Sequence, residues 1–62
     1  MSEYIIKVKE GSRERYVMFT DGHEWKIVKG RENASEMCLG VASAMHELVL
    51  RNGHKAVIER RD

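Results

Sequence analysis

The sequence predicts a single α+β domain over residues 1–62, with element order β-β-β-α-β. Its mostly antiparallel four-stranded sheet has the order 3-2-1-4, and one helix packs on one face. Three observations predict it. Short runs rich in β-branched and aromatic residues, 4–9, 15–20 and 23–28, succeed one another at hairpin spacing. One long stretch, 34–52, repeats its apolar residues at helical intervals. A last short run, 55–59, follows the helix stop Asn52-Gly53.

The first run sets Tyr4, Ile6 and Val8 against Ile5, Lys7 and Lys9, which is the period of a strand. Glycine and serine in Glu10-Gly11-Ser12-Arg13 turn the chain into the second run, RYVMFT. Asp21-Gly22 is the strongest hairpin signal in the sequence, because a type I′ turn needs positive φ at both central residues. A two-residue loop there pairs Thr20 with His23, Met18 with Trp25 and Tyr16 with Ile27, so those last four share a side. The first hairpin is expected to have an odd loop of three residues with Gly11 in a bulge. That register adds Tyr4, Ile6 and Val8 to the same side, whereas an even loop would put lysines there.

After Gly30, Asn33 as N-cap and Glu36 three residues later read as a capping box. At about 100° per residue, Ala34, Cys38, Val41, Met45 and Leu48 align toward the sheet, flanked by Met37, Ala42, Ala44 and Val49. The final strand is expected to run parallel to the first through a right-handed crossover.

A chain this short buries only roughly 60% of its unfolded surface, so its core needs a supplement. Cys38 is the only cysteine, which excludes an internal disulfide and fits a reducing compartment. Structural zinc is not expected: His23, Cys38, His46 and His54 form neither a CxxC nor an HxxxH pair. No cofactor is implied. Association with a second copy remains as the supplement. Charged residues make up 34% of the chain and nearly cancel to +1, which argues against a DNA mimic and against a general DNA-coating protein. No apolar run approaches a membrane span, and the first ten residues lack the apolar centre of a signal peptide, so a cytoplasmic location is expected.

Two surfaces stand out. On the helix, Leu39 and Leu50 project away from the sheet-facing side, near Gly40, Ser43 and His46. On the sheet, the face away from the helix is expected to carry Ile5, Val17, Phe19 and Val28 among Lys7, Lys9, Arg15, Glu24 and Lys26. Scattered surface leucines and long basic stems over apolar neighbours would account for both without any partner. The functional reading is a protein interface, Ile5, Val17, Phe19, Leu39 and Leu50, in a non-enzymatic regulatory domain acting as a homodimer or on another protein. The alternative is a nucleic-acid-binding regulator that sets Phe19 among Lys7, Lys9, Arg15 and Lys26, as sheets that stack bases and hold phosphates do. Catalysis is not expected, because no carboxylate pair, Ser-His-Asp set, phosphate loop or metal cluster appears. Cys38, read as core-facing, has no activating partner.

In the order of its elements the chain is similar to the HicB-type antitoxin domain, in which strand two runs into an Asp-Leu-Pro-Gly-Cys-like segment. Here the matching stretch is FTDGHEWKIVKG, with Asp21 and Gly22 in place but no proline or cysteine. The resemblance implies a topology and no functional residues.

Overall fold

A computed structural model describes residues 3–20 and 24–61. Strands β1 (Tyr4–Glu10), β2 (Arg13–Phe19), β3 (Trp25–Val28) and β4 (Lys55–Arg60) form one sheet in the order β3-β2-β1-β4, with helix α1 (Leu39–Arg51) on one face. Fold class and strand order are those the sequence predicts. Asp21, Gly22 and His23 lie outside the described residues.

All neighbouring strands are antiparallel, including β4 with β1, where the sequence reading expected a parallel pair. The path into the helix explains the difference. Met37 bridges Tyr4 at the beginning of β1, so α1 starts from that end of the sheet. Thirteen helical residues advance about 20 Å, as far as six strand residues do. The chain therefore reverses near the far end of β1, and β4 returns with Lys55 beside Lys9 and Arg60 beside Tyr4. The reversal uses the predicted stop: Gly53 has φ 87, the His54 N–H donates to the Val49 carbonyl, and the Asn52 amide donates to the Leu48 carbonyl.

Both hairpin registers differ from expectation by one residue. Glu10 pairs with Arg13, leaving the even loop Gly11-Ser12, with Gly11 at φ 63 in the first central position that mirror-image turns require. At the second hairpin the Thr20 N–H donates to the Glu24 carbonyl, and Phe19 pairs with Trp25 where Met18 was expected. The two shifts cancel everywhere except in β2. Tyr4, Ile6, Val8, Trp25 and Ile27 face α1 as expected, but they are joined by Val17 and Phe19, while Tyr16 and Met18 face outward. With apolar side chains on both faces, RYVMF holds no pattern that fixes its orientation.

The helix also begins later than the capping-box reading places it. Arg31–Asn33 form a single 3₁₀ turn, the Asn33 side chain donates to the Lys29 carbonyl, and Glu36 pairs with Arg61 instead of capping a helix. Cys38, expected to face the core, is the exposed N-cap residue of α1. Residues 35–37 enter the sheet itself. The Ser35 N–H donates to the Val17 carbonyl, its hydroxyl accepts from the Phe19 N–H at 2.8 Å, and Met37 exchanges two 2.8 Å hydrogen bonds with Tyr4. This strap thus occupies the gap where β1 and β2 splay apart. Before it, the 3₁₀ turn lies over the outer face, where Arg31 reaches Glu59 and the Arg60 carbonyl. After it, the chain is on the inner face. Sheet, strap and helix together enclose a core of Ile6, Val8, Val17, Met37, Ala42 and Val49.

Candidate interaction surface

The outer face is not the open apolar patch its sequence suggests. Ile5 is fully buried there and Tyr16 nearly so, beside the strap's approach. Lys7, directed to the same side, is held by Glu59 at 2.7 Å and Glu14 at 3.2 Å, and Arg31 approaches Glu59 at 3.7 Å. Hydrogen bonds donated by the Lys7 ammonium to Glu59 first, and then to Glu14, raise its pKa above the ordinary value against the opposing effect of desolvation. A group whose pKa is raised on folding contributes stability that is complete below its unfolded value and lost as pH climbs through the folded one. Urea unfolding from about pH 9 to about pH 12 should therefore show a steeper loss for the parent than for Lys7→Met, since unfolded lysine titrates near 10.4. Equal slopes would show that the ion pairs contribute nothing.

The four cations of the nucleic-acid reading do not come together. Lys7 is neutralised by two carboxylates; Lys9 and Lys26 are exposed on its face; Arg15, opposite Val8, lies on the other face and pairs with Glu10 at 3.6 Å. The five proposed interface residues also divide. Ile5 and Val17 are fully buried, the first on the outer face and the second in the core, so neither is available to a partner. Phe19, Leu39 and Leu50 remain exposed, at 36%, 52% and 45%.

The sequence reading missed Val41 and Leu48, which it assigned to the core; they are 45% and 38% exposed. The buried line of α1 runs instead through Ala42 and Val49, with Met45 packed beside it. His46 fixes this rotation. Its Nε2–H donates to the Ala56 carbonyl at 2.8 Å. In the β1–β4 ladder Arg61 N–H bonds to Glu3, so alternation turns the Ala56 carbonyl toward the open edge of β4. The His46 flank of the helix, with Leu39 and Leu50, thus overhangs that edge. Val41 and Leu48 occupy the opposite flank, about 100° round from the buried line, toward β2 and β3. A histidine four residues after Ala42 and three before Val49 was the available sign, since it needs a polar partner that a sheet edge supplies.

The helix packs on β4 and β1, leaving the inner side of β2 and β3 beside it as a notch. Its floor is Phe19, Trp25 and Ile27, and its wall is Val41 and Leu48. No family model matches this chain, and neither a curated protein nor a solved structure matches it. The notch has to be understood from its own residues. They are apolar, while Arg13 and Arg15 lie farther along the same inner side of β2, Arg15 paired with Glu10. Among the described residues, no three His, Cys, Asp or Glu side chains gather as a metal site, and no helix is long and apolar enough to cross a membrane.

Proposed function

We propose that this chain is a non-enzymatic interaction domain that works by binding protein, as a homodimer. The observation that carries this reading is the apolar surface beside the core. Phe19, Val41 and Leu48 are more than a third exposed around one notch, whereas among the described residues the fully buried large side chains are Ile5, Ile6, Val8, Val17 and Val49. Burying exposed apolar area is worth about 25 cal/mol per Å², and a domain of this size has little other reserve. The chemistry of the surface supports the reading too. The carboxylates Glu10, Glu14, Glu36, Glu47 and Glu59 each face a basic side chain rather than one another, an arrangement that suits a solvated surface better than acid–base work.

Light scattering over a concentration series tests the reading directly. The expected result is a mass of two chains that dissociates on dilution without dependence on added nucleic acid. A single-chain mass at every concentration would overturn the homodimer. Salt-sensitive binding of a DNA or RNA fragment would instead support the nucleic-acid alternative.

A further inference from the structure

We propose that the open edge of β4 pairs with the β4 edge of a second copy, antiparallel and two-fold about Val57, so that two sheets join as one with their α1 helices side by side. This rests on the homodimer reading above and assigns its contact, leaving the notch of each copy open to the protein it binds. The edge itself sets the chemistry of the occupant. Lys55, Val57 and Glu59 direct their backbone groups to β1, so the N–H and carbonyl groups of Ala56 and Ile58 point outward from the last strand of the sheet. Another strand satisfies such a row. Arg31 donates to the Arg60 carbonyl at 3.3 Å and ends the open stretch there. His46 holds the Ala56 carbonyl from the helix side, and that oxygen keeps a second lone pair for a strand lying in the plane of the sheet.

Side chains select a second copy and its register. On the outer face β4 presents Lys55, Val57 and Glu59, a cation, an apolar residue 41% exposed and an anion in that order. Turned about Val57, the triplet complements itself. Lys55 faces the partner's Glu59, Val57 faces the partner's Val57, and Glu59 faces the partner's Lys55. Glu59 is already fixed by Lys7 and Arg31, so it meets the incoming lysine with little side-chain freedom left to lose. Sliding the two-fold to Ile58 would set Lys55 against the partner's Arg61, and sliding it to Ala56 would set Lys55 against the partner's Val57.

The helices require the same axis independently. Leu39, Ser43, His46 and Leu50 run down the flank of α1 over the edge at intervals of four, three and four residues, the spacing of a helix–helix seam. Antiparallel pairing sets Leu39 against the partner's Leu50 and Ser43 against the partner's His46, with the two-fold midway, between Ala44 and Met45. The strands place it almost at that point. His46 sits beside Ala56, and Val57 lies about 3.3 Å back toward the start of α1, or about two helical residues, near Ala44. The spacing agrees as well. Strands about 4.8 Å apart put a helix that covers β1 and β4 about 5 Å from the two-fold, so the two helices stand about 10 Å apart, within packing distance. Glu47 borders the seam on its solvent side and is turned to Arg51 at 3.1 Å.

The experiment follows hydrogen exchange at the Ala56 and Ile58 amides of the parent by NMR, over a concentration series that spans dissociation. Sedimentation equilibrium of Lys55→Glu, Leu50→Glu and Leu48→Glu, each checked for fold by circular dichroism, accompanies it. Exchange at both amides should slow roughly tenfold or more as the dimer forms. Lys55→Glu, set against the partner's Glu59 twice in each dimer, should weaken association about tenfold, and Leu50→Glu in the seam about 100-fold. Leu48→Glu, on the far flank of the helix, should stay within about threefold. A dimer whose Ala56 and Ile58 amides exchange as fast as the monomer's, or one weakened by Leu48→Glu but not by Lys55→Glu, overturns the edge pairing and leaves the homodimer standing. A parent that is monomeric throughout overturns both. Should Leu50→Glu fail to fold, the amides of the parent and Lys55→Glu decide.

Discussion

Ile5→Ala should cost about 3 kcal/mol of folding stability and leave self-association unchanged. On sequence alone the opposite outcome would be expected, because Ile5 alternates onto the face away from the helix, where a leftover apolar residue reads as interface. The structure buries it completely. Its strand partner there is Glu59, whose carboxylate engages Lys7 and Arg31, and the 3₁₀ turn that carries Arg31 closes over the same side. Removing three buried carbons forfeits their transfer energy and leaves a cavity that a salt-bridged lid cannot readily fill. A domain of 62 residues holds roughly 3–9 kcal/mol in total, at about 0.05–0.15 per residue, so the loss should be plain in urea unfolding as a lowered midpoint at unchanged slope. A loss under about 1 kcal/mol would mean that the turn does not seal the outer face.

The same residue shows where the sequence was legible and where it was not. Element types and strand order follow from local patterns: alternation in residues 4–9, helical spacing within 34–52 and Asn52-Gly53 as a stop each have a counterpart in the structure, although the helix begins only at Leu39. What local pattern could not supply was orientation. In β2 the residues Tyr16, Val17, Met18 and Phe19 are all apolar, and a one-residue slip exchanges which pair is core. Two opposite slips therefore turned over β2 and left its neighbours in place, moving Val17 from the interface list to the core and Arg15 to the opposite face from Lys7.

The helix boundary failed for a related reason. Asn-Ala-Ser-Glu is a plausible cap in isolation, but the hydrogen-bonding groups of Ser35 and Met37 find partners in the gap between β1 and β2, a long-range contact with no local signature. Starting α1 at Leu39 leaves Ala42 and Val49 to define its buried line, so Val41 and Leu48 pass from expected core to exposed wall. The candidate site was thus half visible. Phe19 was named for the wrong face, and the helix wall was hidden by the rotation.

Met37→Ala should be the second severe substitution, at about 3 kcal/mol, and it should act on both faces of the sheet. Met37 is 5% exposed within the inner core, while its backbone is bonded in both directions to Tyr4. Alanine keeps the backbone bonds and deletes the side chain that anchors the strap from inside. The strap should then open at lower cost than the whole domain, so hydrogen exchange at Ser35, Met37 and Tyr4 should accelerate before exchange at the β1–β4 ladder. Because the same segment leads to the turn covering Ile5, its loosening should also expose the outer face. Ile5→Ala in the Met37→Ala background should consequently cost less than in the parent, with a coupling of about 1 kcal/mol in a double-mutant cycle. Ser35→Ala offers a milder check, expected near 1 kcal/mol, since it removes one hydroxyl that accepts from the Phe19 amide. Strict additivity of Ile5→Ala and Met37→Ala would separate the two faces and reduce the strap to a passive connection. Coupling would make it the element by which a thin sheet seals both of its sides with one piece of chain.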